Sequence, residues 1–190
     1  MATATAHGNE SDNPLLQRWD TPYGLPPFGA VRPEHFEPAF EAAIAEHRAE
    51  IDAIGADPAP PTFANTIAAF DRSGRMLSRL SHLFWNLTSS ETSPALQAVE
   101  MRMAPRLAAH DSAVSMHAGL FARVEQLHER RAELGLAGEE LRVLERYHAD
   151  FTRAGARLGA AAQKRYAEIM GRLAELTTQF GQNVLADEAA

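Results

Sequence analysis

Cysteine is absent from the sequence. That excludes disulfide staples and thiolate metal sites, and it fits a reducing compartment such as the cytoplasm. No segment approaches the ~18 consecutive apolar residues that a membrane span needs, so no membrane partner is expected. Clustered basic charge is also missing: the net charge is -7, and the Arg130-Arg131 pair stands among Glu125, Glu129 and Glu133. Phosphate backbones require lysine and arginine gathered on one face, which excludes a nucleic-acid partner. Nor does any stretch alternate apolar and polar residues over strand length between turn signals, so sheet content should be near zero. What is present, 190 residues at 45% hydrophobic and 23% charged, suits one globular domain with a sizeable core.

Residues 1–12 hold neither an apolar run nor a basic start, and read as a flexible polar tail rather than a signal peptide. A single helical domain is expected over 13–190. Asn13-Pro14-Leu15-Leu16 makes its first apolar contact, and prolines at 22, 26, 27, 33 and 38 follow. Proline removes a backbone donor and biases its predecessor towards extended geometry. This segment therefore reads as an extended strap over a helical body, with Leu25, Phe28 and Val31 pinned down, and Pro38 restarting or kinking the helix that follows.

Apolar periodicity then predicts helices in series. The first covers 37–54, through Phe36, Phe40, Ile44, Ile51 and Ile54, and stops at Gly55 and Asp57-Pro58-Ala59-Pro60-Pro61. Thr62 caps the next, 63–88, with Ile67, Phe70, Leu77, Leu80, Phe84 and Leu87 buried, Trp85 widening the stripe, and a kink at Ser73-Gly74. Ser93-Pro94 starts a helix that runs to about Met116 and should bend at Pro105. Gly119 interrupts the pattern before a shorter helix over 120–134 that ends at Gly135. The last third, 138–186, reads as a long helical hairpin, with runs at 141–158 and 166–184 folded back on each other at the Gly155-to-Ala160 corner. The fold class is all-α, a multi-helix domain with a Pro-rich strap and a C-terminal helical hairpin. Its end, Ala186-Asp187-Glu188-Ala189-Ala190, carries neither glycine cap nor proline stop. Either the helix frays there or a longer chain continues.

The search for chemistry assigns no catalytic, cofactor-binding or metal residue. A helical zinc-peptidase motif needs His-Glu-x-x-His, and His128-Glu129-Arg130-Arg131-Ala132 has alanine at the second ligand position. Glu125-Gln126-Leu127-His128 and Glu145-Arg146-Tyr147-His148 match the spacing of a di-metal carboxylate bundle. At ~100° per residue, however, Glu125 and Glu145 lie a quarter turn off their helices' apolar faces. His128 and His148 then read as boundary histidines beside solvated glutamates. His82 borders a core face, and His110 and His117 share a face without a third ligand. Met101, Met103 and Met116 read as core filler, and Glu139-Glu140 as a solvated first turn. A Gly-x-Ser-x-Gly elbow is missing.

Several stretches together resemble the N-terminal region of the thimet-oligopeptidase-like zinc metallopeptidases, most nearly their peptidyl-dipeptidase branch. They begin with Asn13-Pro14-Leu15-Leu16, Leu25-Pro26-Pro27-Phe28 and Arg32-Pro33-Glu34-His35-Phe36-Glu37-Pro38-Ala39-Phe40. Phe63-Ala64-Asn65-Thr66-Ile67 with Ser73-Gly74, Leu120-Phe121-Ala122-Arg123-Val124 and Arg130-Arg131-Ala132-Glu133-Leu134-Gly135-Leu136 continue the pattern, with Ala154-Gly155-Ala156 after them. It ends in Leu176-Thr177-Thr178-Gln179-Phe180-Gly181-Gln182-Asn183-Val184-Leu185. The resemblance implies a neurolysin-like, mostly helical protein several times longer, with zinc at the floor of a deep channel. Its ligands and general base would lie on a His-Glu-x-x-His helix that residues 1–190 do not contain. On this reading the chain is a non-catalytic channel-wall domain without a cofactor of its own, inactive when isolated. The catalytic half of the same polypeptide is its partner, short peptides are the substrates of the whole, and the isolated chain self-associates through uncovered apolar faces. A free-standing helical interaction module and, further off, a di-metal bundle are the alternatives.

Overall fold

A computed structural model describes residues 13–188. The tail expected over 1–12 lies outside the described residues. Asn13 opens the structure by closing a turn: its Oδ1 accepts from the Leu15 N–H at 3.0 Å and its Nδ2 donates to the His35 carbonyl at 2.8 Å. This drives Leu15 fully into the core. Trp19 donates from Nε1 to the Pro14 carbonyl at 3.1 Å and carries the Arg79 guanidinium 4.4 Å from its ring centroid.

The Pro-rich segment departs from the expected extended strap. It is folded into successive tight turns, with Phe28 N–H donating to the Pro26 carbonyl and Ala30 N–H to that of Pro27, both at 2.8 Å. Leu25 and Phe28 are accordingly not pinned; they are 54% and 52% exposed. The physical reason is that turns shorten the path, so the segment is held at its ends by Leu15, Trp19 and Val31 while its middle stands off the body.

A short 3-10 turn, Pro33–His35, leads into α1 (Phe36–Ala56). Pro38 neither restarts nor breaks this helix, because it falls in the first turn, where its missing N–H has no intrahelical partner to lose. Thr62 caps the next segment as expected, its Oγ1 accepting from Asn65 N–H at 3.1 Å while Asn65 Oδ1 accepts from Thr62 N–H at 2.7 Å. The predicted 63–88 helix is in fact three pieces: a wide π-type turn (Phe63–Ile67), α2 (Ala68–Arg72) and, after Ser73-Gly74, α3 (Arg75–Ser90). Gly74 makes the break possible. Its φ is +65°, and a Cβ there would sit 2.9 Å from the His47 ring.

Ser93 caps α4 (Pro94–Ser115), its Oγ accepting from Leu96 N–H at 3.2 Å, and the helix passes Pro105 without interruption. The next break falls at Met116-His117 rather than at Gly119: His117 Nδ1 caps α5 (Ala118–Glu129) by accepting from Leu120 N–H at 3.0 Å. Gly119 instead serves packing, since a Cβ on it would lie 2.8 Å from the Gly55 carbonyl oxygen where α1 and α5 touch. α5 ends earlier than 134, and turns carry the chain to Gly135 at φ +62°. Then come α6 (Gly138–Arg153) and α7 (Ala160–Glu188). No strand occurs among the described residues, and the all-α class stands.

Two apolar cores share α1. Phe36 and Phe40, from its N-terminal half, meet Phe84 with ring centroids 5.0 and 5.4 Å apart, among Leu80, Leu96, Val99 and Met103 of α3 and α4. Ile51, from its C-terminal half, meets Ile67, Leu120, Val124, Leu144 and Phe151 of the π turn, α5 and α6. Each fully buried side chain of this size contributes roughly 1.5–3 kcal/mol.

The closing hairpin needs correcting. The corner at 154–159 is there, but α7 packs on α4 and has no comparable contact with α6. It runs antiparallel to α4: Met170 faces the Leu107-to-Asp111 end, and Gln182 Nε2 reaches the Gln97 carbonyl at 3.0 Å and Glu100 at 3.2 Å. Met170, Ala174 and Thr178 share a groove with Ala104 and Ala108, small residues that suit a close approach between helices. The periodic stripe read as buried is left outside, with Ile169, Leu173, Leu176, Phe180 and Val184 40–69% exposed.

Candidate functional site

Between the two cores α1 turns polar, and there His47 faces α3 and α4. His110 Nε2 lies 2.9 Å from His47 Nδ1, and His47 Nε2 lies 3.2 Å from Ser73 Oγ. Ser73 in turn donates to the Phe70 carbonyl at 2.7 Å, and Gly74 N–H donates to Glu50 Oε2 at 2.7 Å. Because the serine proton is committed to Phe70, Ser73 Oγ accepts from His47 Nε2–H. His47 Nδ1 is then a bare acceptor and His110 Nε2–H its donor. The string therefore requires His47 to be neutral, whereas His110 can donate its Nε2–H in either protonation state and is held neutral by its burial. Burial lowers both histidines, and His110 falls to about 4, with the neighbouring His47 and Arg48 adding to the effect. The carboxylates of Glu50 and Asp111 pull His47 the other way, by less.

This serine–histidine–histidine string superficially resembles a nucleophilic relay, but its geometry serves anchoring. A relay needs the serine proton on the base, whereas here it points to a carbonyl. The Gly74 amide, a potential oxyanion donor, is taken by Glu50. His110 is 5% exposed, and the string pins α1 to the Ser73-Gly74 break and to α4. A groove of about 600 Å³ opens beside it, bounded by Leu77, Trp85, Leu107, Met170 and Leu173.

A second polar node was not singled out as functional from the sequence. Arg123 is 6% exposed on the apolar face of α5. Its Nη1 donates to the Asp57 and Ala59 carbonyls at 2.7 and 2.9 Å, its Nε to Thr66 Oγ1 at 3.2 Å, and its Nη2 to Asp57 Oδ2 at 3.3 Å. Asn65 Nδ2 adds bonds to Asp57 Oδ2 and the Pro60 carbonyl, both at 3.1 Å. The signal was available: an arginine three residues after Leu120 and four before Leu127 sits on a core stripe, where a charge is tolerated only with partners.

The two Glu-x-x-His pairs do come together, though not as a metal site. The rings of His128 and His148 stack with centroids 3.7 Å apart and planes inclined by 2°. Glu125 is bound by Arg157 at 2.7 Å and Glu145 by Arg131 at 3.6 Å. Both glutamates are ion-paired, Glu145 while still exposed to solvent, and His148 is buried rather than at the boundary. Parallel rings direct their lone pairs side by side instead of at one point. Burial lowers both histidines, with the partner ring and Arg157 adding to it at His148. His82 is exposed on α3, His117 is a helix cap, and Met103 is buried in the core. Among the described residues, no three His, Asp or Glu side chains are placed to hold a metal ion.

Against this geometry, similarity to known proteins is informative. No protein-family profile matches the chain. It is 36% identical over 180 residues to dipeptidyl carboxypeptidase of Salmonella typhimurium, covering 95% of this chain and 26% of that protein. The same enzyme of Escherichia coli is 36% identical over 174 residues, with 92% and 26% covered. Oligopeptidase A of Salmonella typhimurium is 34% identical over 177 residues, with 91% and 25% covered. These relatives are thimet-oligopeptidase-like metallopeptidases, the family to which the motifs pointed, and the chain is homologous to them over nearly its whole length. The chain spans about a quarter of the length of these relatives.

Proposed function

We propose that this chain is the non-catalytic N-terminal part of a longer zinc peptidase that acts in the cytoplasm on short, unfolded peptides and releases C-terminal dipeptides. In that protein it would form part of the channel wall that limits access. One observation carries the reading: nine tenths of the chain aligns with a quarter of each peptidase. The half-exposed stripe on α7 supports it, since Ile169, Leu173, Leu176, Phe180 and Val184 form an apolar face suited to cover by the remainder of such a polypeptide.

The residues present do not fit the zinc that the family implies. His-Glu-x-x-His is missing, the histidine pairs are committed to each other, and the glutamates beside His128 and His148 are held by arginines. No catalytic step is assigned to this chain. No helix among the described residues is long and apolar enough to cross a membrane.

The test is to incubate the purified chain with zinc and a panel of short peptides, following dipeptide release by mass spectrometry. No release is expected. Release by this chain, with zinc bound one to one, would overturn the non-catalytic assignment.

A further inference from the structure

Beside the His47 groove, the turns of the Pro-rich segment and the first half of α3 enclose a second cleft, of about 610 Å³. Trp19 and Phe28 form its apolar wall. Arg75, Arg79 and His82 face them from successive turns of α3, and Asp71 lies at one end. The volume falls within the range of small-molecule sites.

Two features of this cleft go against local rules. Arg75 and Arg79 stand one turn apart on the same helix face, a repulsive spacing for like charges. Arg75 also occupies the first turn of α3, where the helix dipole disfavours cations. That turn holds no acidic residue, and Gly74 offers no side-chain cap. The Glu50 carboxylate on the Gly74 N–H answers the helix dipole, but no acidic side chain pairs with either guanidinium among the described residues. Arg75 is exposed and makes no ion pair or hydrogen bond among the described residues. Arg79 spends one Nη2–H on the Leu15 carbonyl at 3.2 Å and stacks on Trp19, and its buried Nε–H has no partner. The guanidinium is therefore held in place with most of its donors unused. Asp71 accepts from Tyr147 Oη at 2.6 Å and pairs with neither arginine. Two guanidinia one turn apart without an ion-pair partner inside the described structure point to something outside the chain.

We infer that this cleft binds a small monocarboxylate with an apolar or aromatic body. The carboxylate lies between the Arg75 and Arg79 guanidinia, whose planar forks match it. The body rests on Trp19 and on Phe28, which the turns leave half exposed beside the cleft. Two arginines against one aspartate leave a single net positive charge, which suits a monoanion better than a phosphate dianion. This assignment stands whether or not the chain serves a peptidase.

Calorimetric titration of the chain tests it with three probes: N-acetylphenylalanine, its uncharged amide, and inorganic phosphate. N-acetylphenylalanine should bind, and the amide and phosphate should each bind at least ~10-fold more weakly, the scale of one charge-assisted hydrogen-bonded pair. Arg75→Gln, at an exposed and unpartnered position, should keep the thermal midpoint, weaken N-acetylphenylalanine by about tenfold or more, and leave the amide unchanged. Absence of binding at millimolar N-acetylphenylalanine, equal affinity for acid and amide, tighter binding of phosphate, or an unaffected Arg75→Gln would each overturn the assignment.

Discussion

Acidification should destabilise this protein through one identifiable pair. The hydrogen-bond string from Ser73 through His47 to His110 needs a neutral His47, and burial beside His47 and Arg48 disfavours the charged form of His110. His110 titrates at about 4 in the folded chain against 6.5 when free. A base with a lowered folded-state pKa binds its proton more readily when unfolded, so the contribution is complete above pH 6.5. It is lost as pH falls from there towards 4 and is flat below. Each unit in that window costs ~1.4 kcal/mol, so by about pH 4.5 His110 alone removes roughly 2–3 kcal/mol. His47 is shifted the same way and adds to it. The assay is urea unfolding near pH 7 and near pH 4.5, for the wild type and for His110→Gln, whose amide keeps a donor towards His47 Nδ1. Contributions of the carboxylates and of the His128–His148 stack are common to both proteins and cancel in the difference. The wild type should lose about 2 kcal/mol more than the variant on acidification. Equal losses, or a larger loss in the variant, would refute the reasoning.

Other substitutions probe the remaining elements. Arg123→Met should cost roughly 3 kcal/mol in urea unfolding, because it leaves the Asp57 and Ala59 carbonyls of the 57–61 loop without their donor and removes the ion-pair partner of the Asp57 carboxylate; a loss under ~1 kcal/mol would show that the node is dispensable. Gly119→Val places a Cβ 2.8 Å from the Gly55 carbonyl oxygen, and should cost about 2 kcal/mol or more by forcing α1 and α5 apart. At micromolar concentration the chain should self-associate in sedimentation through the α7 stripe. Leu173→Glu with Phe180→Glu, at sites 52% and 69% exposed, should abolish this and shift stability by no more than ~0.5 kcal/mol per site. A wild type that sediments as a monomer would contradict the interpretation of that face.

Much of the architecture was legible from local signals. Thr62 and Ser93 act through their own side chains on backbone amides three residues away, so sequence alone locates those helix starts. Ser73-Gly74 likewise marks the break in the 63–88 run, because only a residue tolerant of φ near +65° passes beside the His47 ring. The pairing of α7 was not legible. Periodicity reports that Ile169, Leu173, Leu176, Phe180 and Val184 share a face, but it carries no information on what covers that face. The small residues Ala174 and Thr178, which decide the contact with α4, give almost no hydrophobic signal. The Pro-rich segment was misjudged for a related reason: proline excludes helix and sheet, yet extended chain and serial turns satisfy it equally.

The polar contacts divide in the same manner. Arg123 could have been found, as a charge on a core stripe. The His47–His110 contact joins residues 63 positions apart, and the His128–His148 stack joins two helices; neither pairing follows from spacing along the chain. The apolar-face argument put His128 and His148 at the helix boundaries and missed that their rings meet.

The central claim, that this chain supplies the non-catalytic part of a peptidase, is tested most directly by reconstitution. A dipeptidyl carboxypeptidase such as that of Escherichia coli, prepared without the segment homologous to this chain, would be mixed with the purified 190-residue protein. Release of C-terminal dipeptides from a short reporter peptide would then be measured. The account predicts little activity from either part alone and recovered dipeptide release from the mixture, weakened when Leu173 and Phe180 are both replaced by glutamate. Full activity of the truncated enzyme without this chain, or dipeptide release by this chain alone, would contradict it.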